Sequence, residues 1–504
     1  MTPVDTPTEN RAAVRTLGNF IAGEWRESTG RRVPDLNPAD VTEVLADAPA
    51  STAAEAASAC DAAAAAFEGW RATPAPKRGQ ILYAAQRRME ERRRELAEIL
   101  TREEGKTIAE SLGEIQRATN VIEFFAGEAR RLTGETIPSE LPHNFCYTVK
   151  QPAGPAAVIT PWNFPVAIPV WKIAPALVSG DTVVFKPASL TPLTAAVIVE
   201  IFQEAGVPPG VLNLVHGSGR DVGDTVVRHP AIKAVSFTGS NDVGIGLYGA
   251  AAARGIKCQC EMGGKNPIVI LGDADLDLAV ESAVQGAFGS TGQRCTATSR
   301  AVVVDRVADE FVERLDARAS KLVVGNGLDA ATHVGPSVDE KQMQTVLDYV
   351  DVGRREGARL VRGGDRLTAN GLDRGYFVAP AVFDRVDANM RIAQEEIFGP
   401  VLSVIRVADD RTALTVANDT RFGLSASVYT SDVAAMFRFV DRLDAGIVHV
   451  NSPTVGGEAH IPFGGMKATG VGLREMGRVA IDFYTELKVV YVDYTGSARQ
   501  GNLY

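Results

Sequence analysis

"GDTVVFKPASLTPLTAAVIVEIFQEAGVPPGVLNLVHGSG", residues 180–219, decides the fold. It places two short β-branched runs on either side of a helical stretch, and each run ends in a turn of Gly, Ser or Pro. Reading outward, the same unit recurs in "AGPAAVITPW" (153–162), "IKAVSFTGS" (232–240), "IKCQCEMGG" (256–264) and "NPIVIL" (266–271). Strands separated by helical crossovers describe an α/β protein with a parallel sheet of Rossmann type. In such sheets a ligand lies beyond the carboxyl ends of the strands.

The alternation continues through residues 265–463 in "RAVVVDR", "RLVRGG", "PVLSVIRV" and "AGIVHVN", which predicts a second α/β domain. The first part of the chain reads as helices, in the alanine-rich "STAAEAASACDAAAAAFEGW" and in "RGQILYAAQRRMEERRRELAEILTREEGK". Arg92, Arg93 and Arg94 are balanced by Glu90, Glu91 and Glu95, the pattern of a solvated helix face. Near the end, "YTELKVVYVDYTG" alternates like a strand in need of a partner, which another subunit could supply.

A chain of 504 residues exceeds the size of one growing core, so two or three closely packed domains are expected. The net charge of -10 argues against nucleic acid, which draws on clustered Lys and Arg to neutralise phosphates. No stretch of eighteen apolar residues and no apolar signal core is present, so no membrane partner and a cytoplasmic location are the default expectations. The five cysteines, Cys60, Cys146, Cys258, Cys260 and Cys295, are scattered without the spacing of a zinc site or a disulfide framework. Free thiols and no metal are expected.

Among them Cys295 stands apart. In "STGQRCTATSR" (290–300) it sits among small polar residues directly after Arg294, the setting of a reactive thiol rather than a packed one. In "TPWNFPVAIPVWK" (160–172) the Asn163 amide could donate to a developing oxyanion, or could cap a helix begun by Pro165. Glu261 in "QCEMGGKNP" ends an apolar strand; burial would raise its pKa toward that of a general base, whereas exposure would leave it an ordinary surface carboxylate.

Other motifs fit a dinucleotide. "GSGRDVG" (217–223) has one residue too many for the usual glycine fingerprint. "FKPAS" puts Lys186 at a strand end, within reach of ribose hydroxyls or a phosphate, and "SFTGS" puts Gly239 and Ser240 at a strand-to-helix turn. In "AQEEIFGP", Glu396 and Phe398 are suited to holding a ribose and covering a flat ring.

In this order "PWNFP", "KPAS", "FTGS", "EMGGKNP", "GQRC", "EEIFGP" and "PFGGMK" resemble the aldehyde dehydrogenase superfamily of NAD(P)-dependent enzymes, from about Phe20 to Val492. The resemblance implies a cofactor domain (1–129 and 152–264), a catalytic domain (265–463) and a β oligomerisation element (130–151 and 479–504), assembled as a homodimer or homotetramer. It implies Cys295 as nucleophile, Asn163 with the Cys295 N–H as oxyanion donors, and Glu261 as general base. For the cofactor it implies Lys186 at the adenosine ribose, Ser240 at the pyrophosphate and Glu396 at the nicotinamide ribose, with Thr160, Trp162, Ser189, Gly219, Gly239 and Phe398 around them. The substrate is an aldehyde, and the product a carboxylic acid released from a Cys295 thioester.

Two departures bear on specificity. NAD-selective members commonly place a glutamate three residues after the cofactor lysine; Ser189 stands there, so NADP is expected to be accepted, with a preference for it left open. Arg294 beside the nucleophile could clamp the carboxylate of an acidic aldehyde, with Thr296 nearby, or could pair with a structural carboxylate and tune the thiolate. Within the superfamily the pattern is most similar to 2,5-dioxopentanoate (α-ketoglutaric semialdehyde) dehydrogenases. Phe164, Trp171 and Phe463 would equally suit a broad aliphatic or aromatic aldehyde dehydrogenase. A non-catalytic binding protein retaining the fold is the alternative of another class.

Overall fold

The structure, a computed structural model, describes residues 14–499. Its larger sheet runs, from edge to edge, Gly470–Val471, Lys257–Glu261, Ala234–Thr238, Ala156–Ile159, Val183–Lys186, Leu212–Leu214, Asn19–Ile21 and Glu24–Arg26. The five central strands are mutually parallel, and in chain order they read 3-2-1-4-5 across the sheet. The order therefore reverses between Ala156–Ile159 and Ala234–Thr238, the switch point at which a doubly wound sheet opens a crevice.

Most positions of these strands are buried, and Ala156–Ile159 is an unbroken apolar run, because helices cover both faces. Helix Ala167–Ser179 is buried at every position, which explains its lack of a polar stripe. The long helices Ala53–Ala72 and Ile108–Glu128 each begin with a capping box, Thr52 with Glu55 and Thr107 with Glu110.

The second sheet has the order Arg359–Arg362, Ala381–Asp384, Val401–Val407, Thr298–Val304, Asn266–Ile270, Ser425–Tyr429 and Ile447–Val450, all parallel except the first. It has its own apolar cores on its two faces. The chain does not leave the first sheet for good at Gly264: Gly470–Val471, beyond residue 463, returns to pair with Cys260 and Glu261.

Strand Thr485–Asp493 finds its partner within its own chain. It pairs antiparallel with Asn144–Pro152 along its whole length, and Thr136–Ile137 adds a third strand. Residues 500–504, included in the expected oligomerisation element, and residues 1–13 of the expected cofactor domain lie outside the described residues. No helix among the described residues is long and apolar enough to cross a membrane.

Candidate active site

Cys295 lies in the loop between helix Leu276–Phe288 and strand Thr298–Val304. Ser290 and Thr291, just before it, both adopt left-handed backbone with φ of 48° and 56°. Such conformations cost about 1–3 kcal/mol each and persist only where neighbours enforce them. Here Glu110 accepts the Ser290 N–H at 2.6 Å, and Thr291 Oγ1 donates to the Gly335 carbonyl at 3.1 Å. Asn266 Nδ2 donates to the carbonyls of Cys295 and Ala297 at 2.8 and 2.9 Å, pinning the loop's exit to the neighbouring strand.

The loop presents the half-buried thiol to two cavities, one of about 220 Å³ and one of about 760 Å³, and Cys295 is on the wall of both. Burial pushes the thiol up to about 12, with Glu396 and Glu261 adding to the rise and Arg117 opposing it. The sequence leaves Arg294 two settings, a clamp for a substrate carboxylate or a pair with a structural one, and in the structure a carboxylate of the protein is its partner. Arg294 turns away, donating through Nε and Nη2 to Ser290 Oγ at 2.9 and 2.8 Å and pairing with Glu110 at 3.2 Å.

The smaller cavity opens at the switch point of the first sheet. Trp162, Asn163, Gly239, Ser240, Glu396 and Phe398 are on its wall. Thr160 and Thr238, at the carboxyl ends of the two strands flanking that point, have buried hydroxyls without partners in the protein. Ser240 precedes helix Asn241–Ala253 and leaves its N-terminal amides without a side-chain cap. Glu396 accepts the Gly264 N–H at 2.8 Å, and burial raises its carboxyl to about 7. A Cβ on Gly263 would collide with that carboxylate. Trp162 and Phe398 meet edge to face at 5.3 Å. An orphaned Thr238 hydroxyl, uncapped helix amides, a buried carboxylate and an aromatic wall are groups that suit a dinucleotide.

Thr160, Lys186, Ser189 and Gly219 lie outside the wall of this cavity. Lys186 ends its strand nearly buried, and desolvation lowers its amine to about 8. Ser189 is exposed and donates to the Gly217 carbonyl at 3.1 Å. Gly219 opens a single turn, Gly219–Gly223, capped by the Ser218 hydroxyl.

Asn163 is buried and does not cap the helix after it. That helix starts at Ala167, and its first amides, on Val166 and Ala167, are taken by Glu114 Oε1 at 2.8 and 3.0 Å. Asn163 Nδ2 instead donates to the Gln293 carbonyl at 3.0 Å, two residues before Cys295, and its own carbonyl accepts from the buried Lys106 ammonium at 2.7 Å. Lys106 in turn pairs with Glu114 at 2.6 Å, so one ion pair fixes both Asn163 and the helix start.

Glu261 is 4% exposed, which excludes an ordinary surface carboxylate. Its pKa lies well above the usual carboxylate range, first from burial and then from Glu475, against the pull of Arg474 and of the Gly465 N–H. Gly464, Gly465 and Gly470 surround it with backbone alone. Glu475 is buried behind the site, accepting Trp171 Nε1 at 2.8 Å and pairing with Lys172.

The larger cavity carries Phe164, Trp171, Arg294, Thr296 and Phe463 on its wall, with the Trp171 and Phe463 rings tilted by 37° and their centroids 5.4 Å apart. It also carries a residue that sequence reasoning missed. Arg117 projects from helix Ile108–Glu128 over the Trp171 ring at 5.0 Å, donates through Nη2 to Met476 Sδ at 3.5 Å, and has a buried Nε without a partner. Among the described residues no carboxylate pairs with it. Its segment, "GEIQRATNVIEFFAG", reads as a plain amphipathic helix and gives no signal of this.

A cavity at the switch point of a doubly wound sheet that meets a second cavity at one cysteine is an arrangement suited to a nucleotide-dependent oxidoreductase working through a thiol. A match to the aldehyde dehydrogenase family spans residues 25–490. The chain is 46% identical over 478 residues to an alpha-ketoglutaric semialdehyde dehydrogenase of Bacillus subtilis strain 168, covering 95% of this chain and 98% of the relative. It is 44% identical over 474 residues to a 2,5-dioxopentanoate dehydrogenase of Saccharolobus solfataricus, covering 94% and 98%. A solved betaine aldehyde dehydrogenase from Staphylococcus aureus, in complex with NAD+, superposes with a TM-score of 0.93 at 36% identity, covering 97% of this chain and 96% of that one. The chain therefore belongs to the aldehyde dehydrogenase family and is an NAD(P)-dependent oxidoreductase that takes aldehydes to acids.

Proposed function

We propose that the substrate is an acidic semialdehyde of the 2,5-dioxopentanoate type, and that its far carboxylate is held by Arg117. The observation that carries this reading is a half-buried guanidinium on the wall of the tunnel that ends at Cys295, with a buried Nε that has no partner and no carboxylate paired with it among the described residues. Burying such a cation costs free energy unless a charge meets it, and a substrate carboxylate supplies that charge with paired hydrogen bonds. The relatives named for α-ketoglutaric semialdehyde and 2,5-dioxopentanoate support the same class. Arg294, tied to Glu110 and Ser290, shapes the tunnel's polar side rather than anchoring the substrate.

In this reading Cys295 gives up its proton and its sulfur adds to the aldehyde carbon. Asn163 Nδ2 and the Cys295 N–H stabilise the oxygen of the resulting thiohemiacetal, an electrostatic role worth about 10²–10³ in rate per donor. When bound in the smaller cavity, the nicotinamide cofactor supplies the hydride acceptor. Glu396 orients its ribose, and Trp162 and Phe398 flank the ring's site. The acyl group is left on Cys295 as a thioester, and Glu261 takes a proton from the water that releases the acid. Glu261 is near enough for its charge to raise the Cys295 thiol, which supports this role.

Lys186 and the small, exposed Ser189 leave the adenosine end without a carboxylate, which favours acceptance of NADP alongside NAD. The cofactor unit is assigned to residues 1–129 and 152–264, the catalytic unit to 265–463 and the oligomerisation element to 130–151 and 479–504, with a homodimer or homotetramer as the assembly. The test is steady-state turnover of 2,5-dioxopentanoate, succinate semialdehyde, hexanal and benzaldehyde with each cofactor. A preference for the two acids supports the reading, and equal or better turnover of hexanal and benzaldehyde overturns it.

A further inference from the structure

Strand Lys257–Glu261 carries two cysteines separated by one residue, so both side chains stand on one face of the sheet. Their sulfurs are 3.7 Å apart. Cys260 is buried beneath helix Asn241–Ala253, with its sulfur 3.5 Å from the Gly244 carbonyl. Cys258 is half-buried: the covering strand pairs Val471 with Cys260 and Gly470 with Glu261, and Cys258 lies beyond that last rung. The hydrogen bond from Cys260, and then the Lys172 ammonium, hold the Cys258 thiol below its usual range, whereas the Cys260 thiol is pushed up. The pair thus has an accessible, activated sulfur and a buried one in contact with it, the division of labour of an attacking and a resolving cysteine. Nothing in the reaction at Cys295 uses either.

We propose that Cys258 and Cys260 form a reversible disulfide on exposure to hydroperoxides, and that this disulfide suspends the release of acid by displacing Glu261. The Cys258 thiolate attacks a peroxide oxygen, the O–O bond breaks, and the alcohol or water leaves, giving a sulfenic acid. Cys260 sulfur then attacks Cys258 sulfur, the S–O bond breaks, and hydroxide departs with the Cys260 proton as water. Two electrons pass from the two thiols to the peroxide.

Geometry supplies the consequence. Residues two apart in an extended strand have Cα atoms roughly 6.4–6.8 Å apart, the long end of what a disulfide spans, and the sulfurs must close to about 2.05 Å. The strand has to buckle to form the bond, and Glu261 is the next residue along it. A disulfide strained in this way is reduced readily by cellular dithiols, so the change is reversible.

The effect on acid release rests on Glu261 as the base; the disulfide itself does not. The experiment treats the full-length enzyme with hydrogen peroxide and reads tryptic peptides. Peptide 258–265 holds both cysteines, and Cys295 falls on the separate peptide 295–300. Formation of the disulfide lowers the mass of peptide 258–265 by two hydrogens, reversibly with dithiothreitol. The steady-state rate divided by the first-turnover burst, which counts intact Cys295, then falls on the order of tenfold or more, the scale of losing a positioned base. In Cys258→Ser both changes are absent. An unchanged mass of peptide 258–265, or the same loss of rate per burst in Cys258→Ser, overturns the proposal. Glu261→Gln without peroxide separates the two readings: if its steady-state rate is normal, the assignment of the base fails while the peptide mass still decides the disulfide.

Discussion

Replacing Arg117 with Met keeps much of the side chain's bulk against Trp171 and removes the charge. If the guanidinium meets a substrate carboxylate, the variant leaves that carboxylate desolvated and unpaired, a loss of about 2–5 kcal/mol for buried hydrogen-bonded charge pairs. Taking about 3 kcal/mol, kcat/KM for 2,5-dioxopentanoate falls roughly 10²-fold. Arg117 also opposes the rise of the Cys295 thiol, so its removal slows every aldehyde to some degree. The diagnostic is therefore the ratio of kcat/KM for 2,5-dioxopentanoate over hexanal, in which the shared thiol cancels. That ratio is expected to collapse by the full factor of about 10². The melting temperature should change little, because no carboxylate partner is lost and the methionine side chain still packs against Trp171. The assay is nicotinamide reduction at varied aldehyde, with Arg117→Lys as a second variant that keeps charge but loses the planar fork. A ratio within about threefold of wild type, less than 1 kcal/mol, would refute the assignment of Arg117 to the substrate.

Four further outcomes are expected. Asn163→Ala lowers kcat by about 10²–10³ while cofactor affinity, measured by fluorescence titration, is unchanged. Glu261→Gln retains a first-turnover burst of reduced cofactor and loses steady-state turnover; in wild type the acid-releasing step quickens as pH rises through the elevated Glu261 pKa, because only the carboxylate can take a proton. With the Cys295 thiol near 12 in the cofactor-free protein, its alkylation by iodoacetamide, followed on peptide 295–300, accelerates steadily with pH through the neutral range without reaching a plateau. Ser189→Glu places a like charge beside a 2′-phosphate and lowers the NADP to NAD ratio of kcat/KM by at least about tenfold.

Strand and helix alternation was legible because buried parallel strands are written as short apolar runs closed by turn residues. Cys295, Asn163, Glu261, Glu396 and Phe398 were legible as motifs; Asn163, Glu396 and Phe398 share a cavity wall with Cys295, whereas Glu261 lies on the wall of neither cavity. Arg117 was not, since its role depends on having no partner, and the absence of a partner is a property of packing rather than of neighbours in sequence. The direction of Arg294 was equally hidden: what turns it aside is Glu110, which sits in a capping box and also grips the Ser290 amide. The return of Gly470–Val471 to the first sheet left no trace, because two residues are too few to show alternation.

Cys295 is the one place where the two cavities meet, and that arrangement governs traffic. On the proposed reading, an aldehyde would enter through the larger cavity with the nucleotide in the smaller one, and the spent nucleotide would be free to depart with the acyl group still attached. A small molecule lodged in the wide channel competes with the aldehyde and leaves the nucleotide's affinity untouched, whereas one that modifies the sulfur is felt from both sides. Blockers of the two doorways can therefore be told apart by which reactant relieves them.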